Sequence, residues 1–177
     1  MKLSNNYQRI ILQLTAAVFV LLLGILVYVF DRDPHHIYFL NAVLSKSLST
    51  TPVFGTIGLS LPSFVHVYVF ILFTTVLLPP TYKSCLGASC FWLMTDGLFE
   101  IAQHPSVAHF AVKVVPAWFF TIPILKNTRA YFLQSTFDPL DLAAIVIGTL
   151  AAVITIIFTL KINAGQRYQR ETSFANQ

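Results

Sequence analysis

Residues 85–103, CLGASCFWLMTDGLFEIAQ, are long enough to cross a bilayer, yet they hold Asp96, Glu100 and Gln103 in their second half. At about 100° per residue, offsets of four and seven put these side chains within roughly 60° of one another on one helix face. An acidic side chain at the centre of a membrane helix costs about 2.5 to 3.5 kcal/mol, while each Leu, Ile, Phe or Val returns only about 0.3 to 0.6 kcal/mol. The six such residues in this stretch do not offset two carboxylates. The stripe must therefore face protein or a water-filled cavity, either as a seam that locks helices together or as a functional site.

The rest of the chain fits that setting. Of 177 residues, 56% are hydrophobic and 10% charged, and the mean hydropathy is +0.72, the profile of an all-α integral membrane protein. No shift in composition separates a second domain, so residues 1–177 read as one bundle. The net charge of +4 comes from basic residues scattered among loops and ends. No basic patch interleaved with aromatics points to nucleic acid. Cys85 and Cys90 lie five apart, and on a helix their side chains diverge by about 140°, which suggests neither a disulfide nor a C-x-x-C redox or metal site. Both read as small membrane-buried residues.

Four spans are expected, at about 10–30, 61–78, 85–103 and 139–160. The first follows Lys2 and Arg9 and carries no charge, which reads as an uncleaved anchor. Asp33 and Pro34 then open a short helix expected at the membrane surface, with His35 and His36 at its start. Pro52 and Gly55 mark a loop, and the second span is expected to begin before Ser63, with Pro62 in its first turns and His66 further inside. A brief connection at 79–84 makes the second and third spans an antiparallel hairpin, which desolvates His66 and the acidic stripe together. Residues 105–135, with Pro116 and Pro123 around an aromatic run, read as interfacial or re-entrant elements covering the stripe. The last span has a strong start: Asp138 as N-cap, Pro139 as first helical residue, and Asp141 at the third position. Capping alone accounts for both acids. Ala144, Gly148 and Ala152 form a small-residue ridge expected to pack against the acidic helix, and 172–177 read as a frayed tail.

Four spans put both termini on one side with Lys2, Arg9, Lys83, Lys161, Arg167 and Arg170, in shorter segments than the five basic residues opposite. The positive-inside rule makes that side cytoplasmic. His66, Glu100, Gln103, Asp138 and Asp141 then gather in the outer half of the membrane.

The hairpin LPSFVHVYVFILF, the stripe DGLFEIAQ and the closing FDPLDLAAIVIG together resemble the VanZ-like membrane proteins. That family joins a histidine-bearing helix to an acid-rich helix ending in Gln and a final Asp-x-x-(Ala/Asn)-x-x-x-Gly helix. The matching residues are His66, Asp96, Glu100, Gln103, Asp138, Asp141 and Gly148. Some members place two acids side by side before the Gln, where this chain spaces Asp96 and Glu100 four apart. The resemblance implies a bacterial inner-membrane protein of the cell envelope and, as for the family's namesake, a link to glycopeptide resistance.

Three classes of function follow from these residues. The first is binding of, or action on, an envelope lipid or lipid-linked cell-wall precursor at the outer leaflet. Glu100 would carry the proton, Asp96 would be its electrostatic partner and His66 an acid/base or orienting group. Gln103, Asp138 and Asp141 would contact the substrate. No nucleophile motif, phosphate loop or H-E-x-x-H is present, so neither catalysis nor a cofactor is indicated, and His with carboxylates at irregular spacing is a weak metal signal. The second class is a small proton-coupled transport component, completed by a homodimer. The third is a structural protein that binds another membrane protein through its Phe-rich surface.

Overall fold

The computed structural model describes residues 5–31, 53–123 and 125–175, with side chains described between 6 and 162. The expected surface helix from Asp33, with His35 and His36, lies outside the described residues. Regular structure among the described residues is helical throughout: α1 (Asn5–Asp31), α2 (Ile57–Leu77), α3 (Tyr82–Ile101), α4 (Pro105–Val114), a 3-10 turn (Ala117–Thr121), α5 (Thr128–Gln134) and α6 (Pro139–Ala175). Three helices, α1, α2 and α6, are long and apolar enough to cross a membrane. Lys83, Asp96 and Glu100 dilute the apolar character of α3, which reaches that measure only jointly with α4, to which it is bent by 113°. The four expected spans thus correspond to three long helices and one bent pair.

Local chemistry sets the boundaries. Asp31, at the end of α1, accepts the backbone N–H groups of Val53 (2.6 Å) and Phe54 (2.9 Å), holding the approach to α2 against the end of α1. Gly55 takes φ +55°, a left-handed turn that a β-carbon would strain, and α2 starts two residues later. Pro62 is accommodated early in the helix, as expected. Thr81 caps α3 by accepting the N–H of Ser84 at 3.1 Å, so α3 begins three residues before the expected start. Asp138 Oδ1 accepts the N–H of Leu140 at 2.9 Å, which makes it the N-cap that the sequence indicates. At its other end α6 runs on to Ala175, where a frayed tail from 172 was expected.

Helix α2 packs against α1, α3 and α6 and forms the centre of the bundle. Ile71, Leu72 and Val67 of α2 are fully buried, together with Ala17 of α1 and Ala152 and Ile156 of α6. Cys85 joins this core, whereas Cys90 faces outward, and both are free thiols. Polar ties cross the same interfaces: Tyr68 Oη lies 3.0 Å from Thr155 Oγ1, and Trp92 Nε1 donates to Thr74 Oγ1 at 2.8 Å. The small-residue ridge of α6 turns toward α2 instead of the acidic helix. A β-carbon on Gly148 would come within 2.6 Å of Val67 Cγ1 and 2.8 Å of the Phe64 carbonyl, so the missing side chain is what lets α2 and α6 approach this closely.

Arg9 is a second departure. The sequence reads it as a flanking charge, but it sits inside α1 with 3% of its surface exposed, and its Nε and Nη1 have no hydrogen-bond partner among the described residues. One turn further on, Gln13 is fully buried and donates to Thr159 Oγ1 at 2.9 Å. These groups form a buried polar level at the end of the bundle where α1 starts.

The Gly148 contact generates a direct test. Gly148→Ala is expected to destabilise the bundle by about 1 to 3 kcal/mol through overpacking. Gly97→Ala, whose β-carbon meets nothing within 4 Å, should be neutral or stabilising by up to about 1 kcal/mol. Thermal unfolding of the two variants in detergent checks the ordering; a Gly148→Ala protein as stable as the parent contradicts it.

Candidate functional site

The acidic stripe of α3 does face into the protein. Asp96, Glu100 and Gln103 line one half-open cavity of about 370 Å³, bounded by Tyr28 of α1, Pro62, Ser63 and His66 of α2, Tyr131 of α5 and Ile145 of α6. Trp92, Thr95 and Phe99 complete the α3 wall. The cavity lies where α1 ends and α6 begins, at the opposite end of the bundle from Arg9.

His66 Nδ1 lies 3.0 Å from Asp96 Oδ2. A carboxylate only accepts, so the proton of this contact sits on Nδ1, and Nε2 makes no hydrogen bond among the described residues. The Asp96 side chain is 10% exposed and that of His66 51%, so the acid is walled in while the imidazole reaches the open side. The other oxygen of Asp96 has no hydrogen-bond partner among the described residues. Phe70 and Trp92 flank the imidazole, with ring centroids 4.4 and 6.2 Å away.

Glu100 is held differently. It is 6% exposed; its Oε1 accepts the backbone N–H of Asp138 at 2.9 Å and its Oε2 accepts Gln103 Nε2 at 3.0 Å. Gln103, also 6% exposed, places the same nitrogen 3.0 Å from Tyr131 Oη and 3.3 Å from the Phe99 carbonyl. Two amide hydrogens face three acceptors, and the two shorter contacts take them. Burial first, then the Glu100 and Asp141 carboxylates, push the Tyr131 phenol above its ordinary range against the opposing bond from Gln103, so Tyr131 stays a neutral hydroxyl.

Of the six residues that the sequence singles out, four line the cavity: His66, Asp96, Glu100 and Gln103. Asp138 and Asp141 are not part of its lining. Asp138 contributes a cap to α6 and a backbone N–H to Glu100, and Asp141 Oδ1 is buried without a hydrogen-bond partner among the described residues. Tyr28, Trp92 and Tyr131 escape a reading of the stripe, because they come from other elements or from one turn earlier on α3. An aromatic near the end of a span is the one signal that Tyr28 offers. No group of three His, Cys, Asp or Glu side chains is placed to hold a metal ion among the described residues.

No protein-family profile, curated protein or solved structure matches the chain.

The two bonds to Glu100 set its structural weight. Glu100→Ala leaves the Asp138 N–H and a Gln103 N–H without their acceptor and is expected to destabilise the protein by about 1 to 3 kcal/mol. Glu100→Gln retains an oxygen for Asp138 and should lose less. Denaturation of matched preparations gives the order; equal losses would show that the Asp138 bond contributes nothing.

Proposed function

We propose that the chain is a multi-pass membrane protein of the VanZ-like kind, in the bacterial inner membrane with both termini cytoplasmic. In this reading it binds or acts on an envelope lipid or lipid-linked cell-wall precursor from the outer leaflet. The observation that carries it is the cavity: a half-open space at one end of an apolar bundle, lined by an acid–histidine pair, a buried carboxylate and aromatic walls. Such a space, largely apolar with a few convergent polar groups, has the character of a ligand site. Exposed Phe91, Met94 and Leu98 on the outward face of α3 suit lipid, whereas the stripe faces away from it.

Within this reading the roles divide. Both oxygens of Glu100 are committed to protein N–H groups, so Glu100 fixes the junction of α3 with α6. His66 and Asp96 retain an open imidazole nitrogen and a free carboxylate oxygen, and the proton-transfer role passes to that pair.

The test compares envelope lipids and cell-wall precursors by mass spectrometry in cells lacking the protein, expressing it, and expressing Asp96→Asn or Glu100→Gln at matched membrane levels. The expected result is a lipid-linked species whose abundance changes at least severalfold with the parent protein and not with Asp96→Asn. Identical profiles in all strains would overturn the reading.

A further inference from the structure

The charge balance of the cavity narrows what it can hold. Among the described residues, two carboxylates, Asp96 and Glu100, line it, and no Lys or Arg does. The one basic side chain among those lining residues, His66, is already paired with Asp96 at 3.0 Å. An anionic group such as a phosphate would meet the Asp96 carboxylate with no Lys or Arg among the described lining residues to offset it, and like charges in a desolvated space repel strongly. Tyr28, Trp92, Phe99 and Tyr131 also line the cavity, and aromatic side chains are the residue type that attracts ammonium groups to a ring face.

A second observation points the same way. Asp96 is nine-tenths buried, lines the cavity and keeps one oxygen without a hydrogen-bond partner among the described residues. That oxygen keeps its accepting capacity, and an ammonium supplies both hydrogen and charge. From these facts we infer that the cavity is a binding site for an ammonium group, a primary or N-methylated amine on a small polar head. A volume of about 370 Å³ accommodates such a head, while the open side of the cavity leaves the remainder of the molecule outside. The inference deepens the proposed envelope-lipid reading, since an amine headgroup of a membrane lipid and a free amine share this chemistry.

The experiment uses the full chain in nanodiscs made of phosphatidylglycerol, which has no amine. Short-chain phosphatidylethanolamine, short-chain phosphatidylglycerol and free ethanolamine are added separately. Binding is read by native mass spectrometry and by Trp92 fluorescence in a Trp118→Phe background. The ethanolamine lipid should bind at least tenfold more tightly than the glycerol lipid, and Asp96→Asn should remove most of that preference. Tyr28→Leu, a wall change on another helix, should weaken binding severalfold while leaving the thermal midpoint near the parent's, which separates loss of the site from loss of the fold. Equal binding of the two lipids overturns the amine assignment and leaves the envelope-lipid reading standing. Binding of free ethanolamine without either lipid supports the amine and removes the lipid source. Binding of none of the three overturns the amine assignment and removes this support for a lipid site.

Discussion

The burial of two carboxylates on one apolar helix is the constraint on which the rest of the bundle depends. A charge taken from water must find hydrogen-bond donors or a cavity, and α3 finds both. Glu100 is served from its own helix end by Gln103 and from the start of α6 by the N–H of Asp138. Asp96 is served across the hairpin by His66. These bonds specify how α3 is rotated about its axis and how far it slides against α2 and α6. Apolar packing alone is less selective, since many side-chain arrangements bury similar area. The bend of 113° after α3 then returns the chain over its polar end, and α5 brings the Tyr131 hydroxyl to Gln103.

Two polar levels result, separated by a dry core. At one end lies the acidic and aromatic cavity; at the other lie Arg9, Gln13 and Thr159. Ile71, Leu72, Val67 and Ile156 fill the space between them without exposed surface that would matter to a ligand. The polar ties between them, Tyr68 to Thr155 and Trp92 to Thr74, are pairs of neutral groups bonded to each other. A bundle so arranged is suited to presenting a site at one of its ends, and it offers no continuous row of ionisable groups through the described residues.

Much of this was legible in the sequence because it rests on short-range rules. The spacing of Asp96, Glu100 and Gln103 gave their common face, and the Asp-Pro-x-Asp start of α6 gave its cap, since both depend on residues within a turn or two. Long-range partners were harder to see. Gly148 announces a close approach but not to which helix, and the ridge meets α2 where α3 was expected. Gln13 is met by Thr159 of α6 and Arg9 lies near Cys85 of α3, partners far off in sequence, so the arginine read as an ordinary flanking charge. Tyr28 and Tyr131 reach the cavity from segments with no sequence relation to the stripe. Asp138 acts on Glu100 through its backbone, a role that no side-chain pattern can reveal.

The central claim is that α3 lies in a membrane with its stripe facing a wet cavity and its other face meeting lipid. Single cysteines at two adjacent pairs of positions test it most directly: Thr95→Cys and Phe99→Cys on the cavity wall, Met94→Cys and Leu98→Cys on the outward face, in a Cys85→Ala, Cys90→Ala background. In intact membranes, a water-soluble maleimide should label positions 95 and 99 and leave 94 and 98 unmodified. Equal labelling of all four, or labelling of the outward pair alone, would contradict the account.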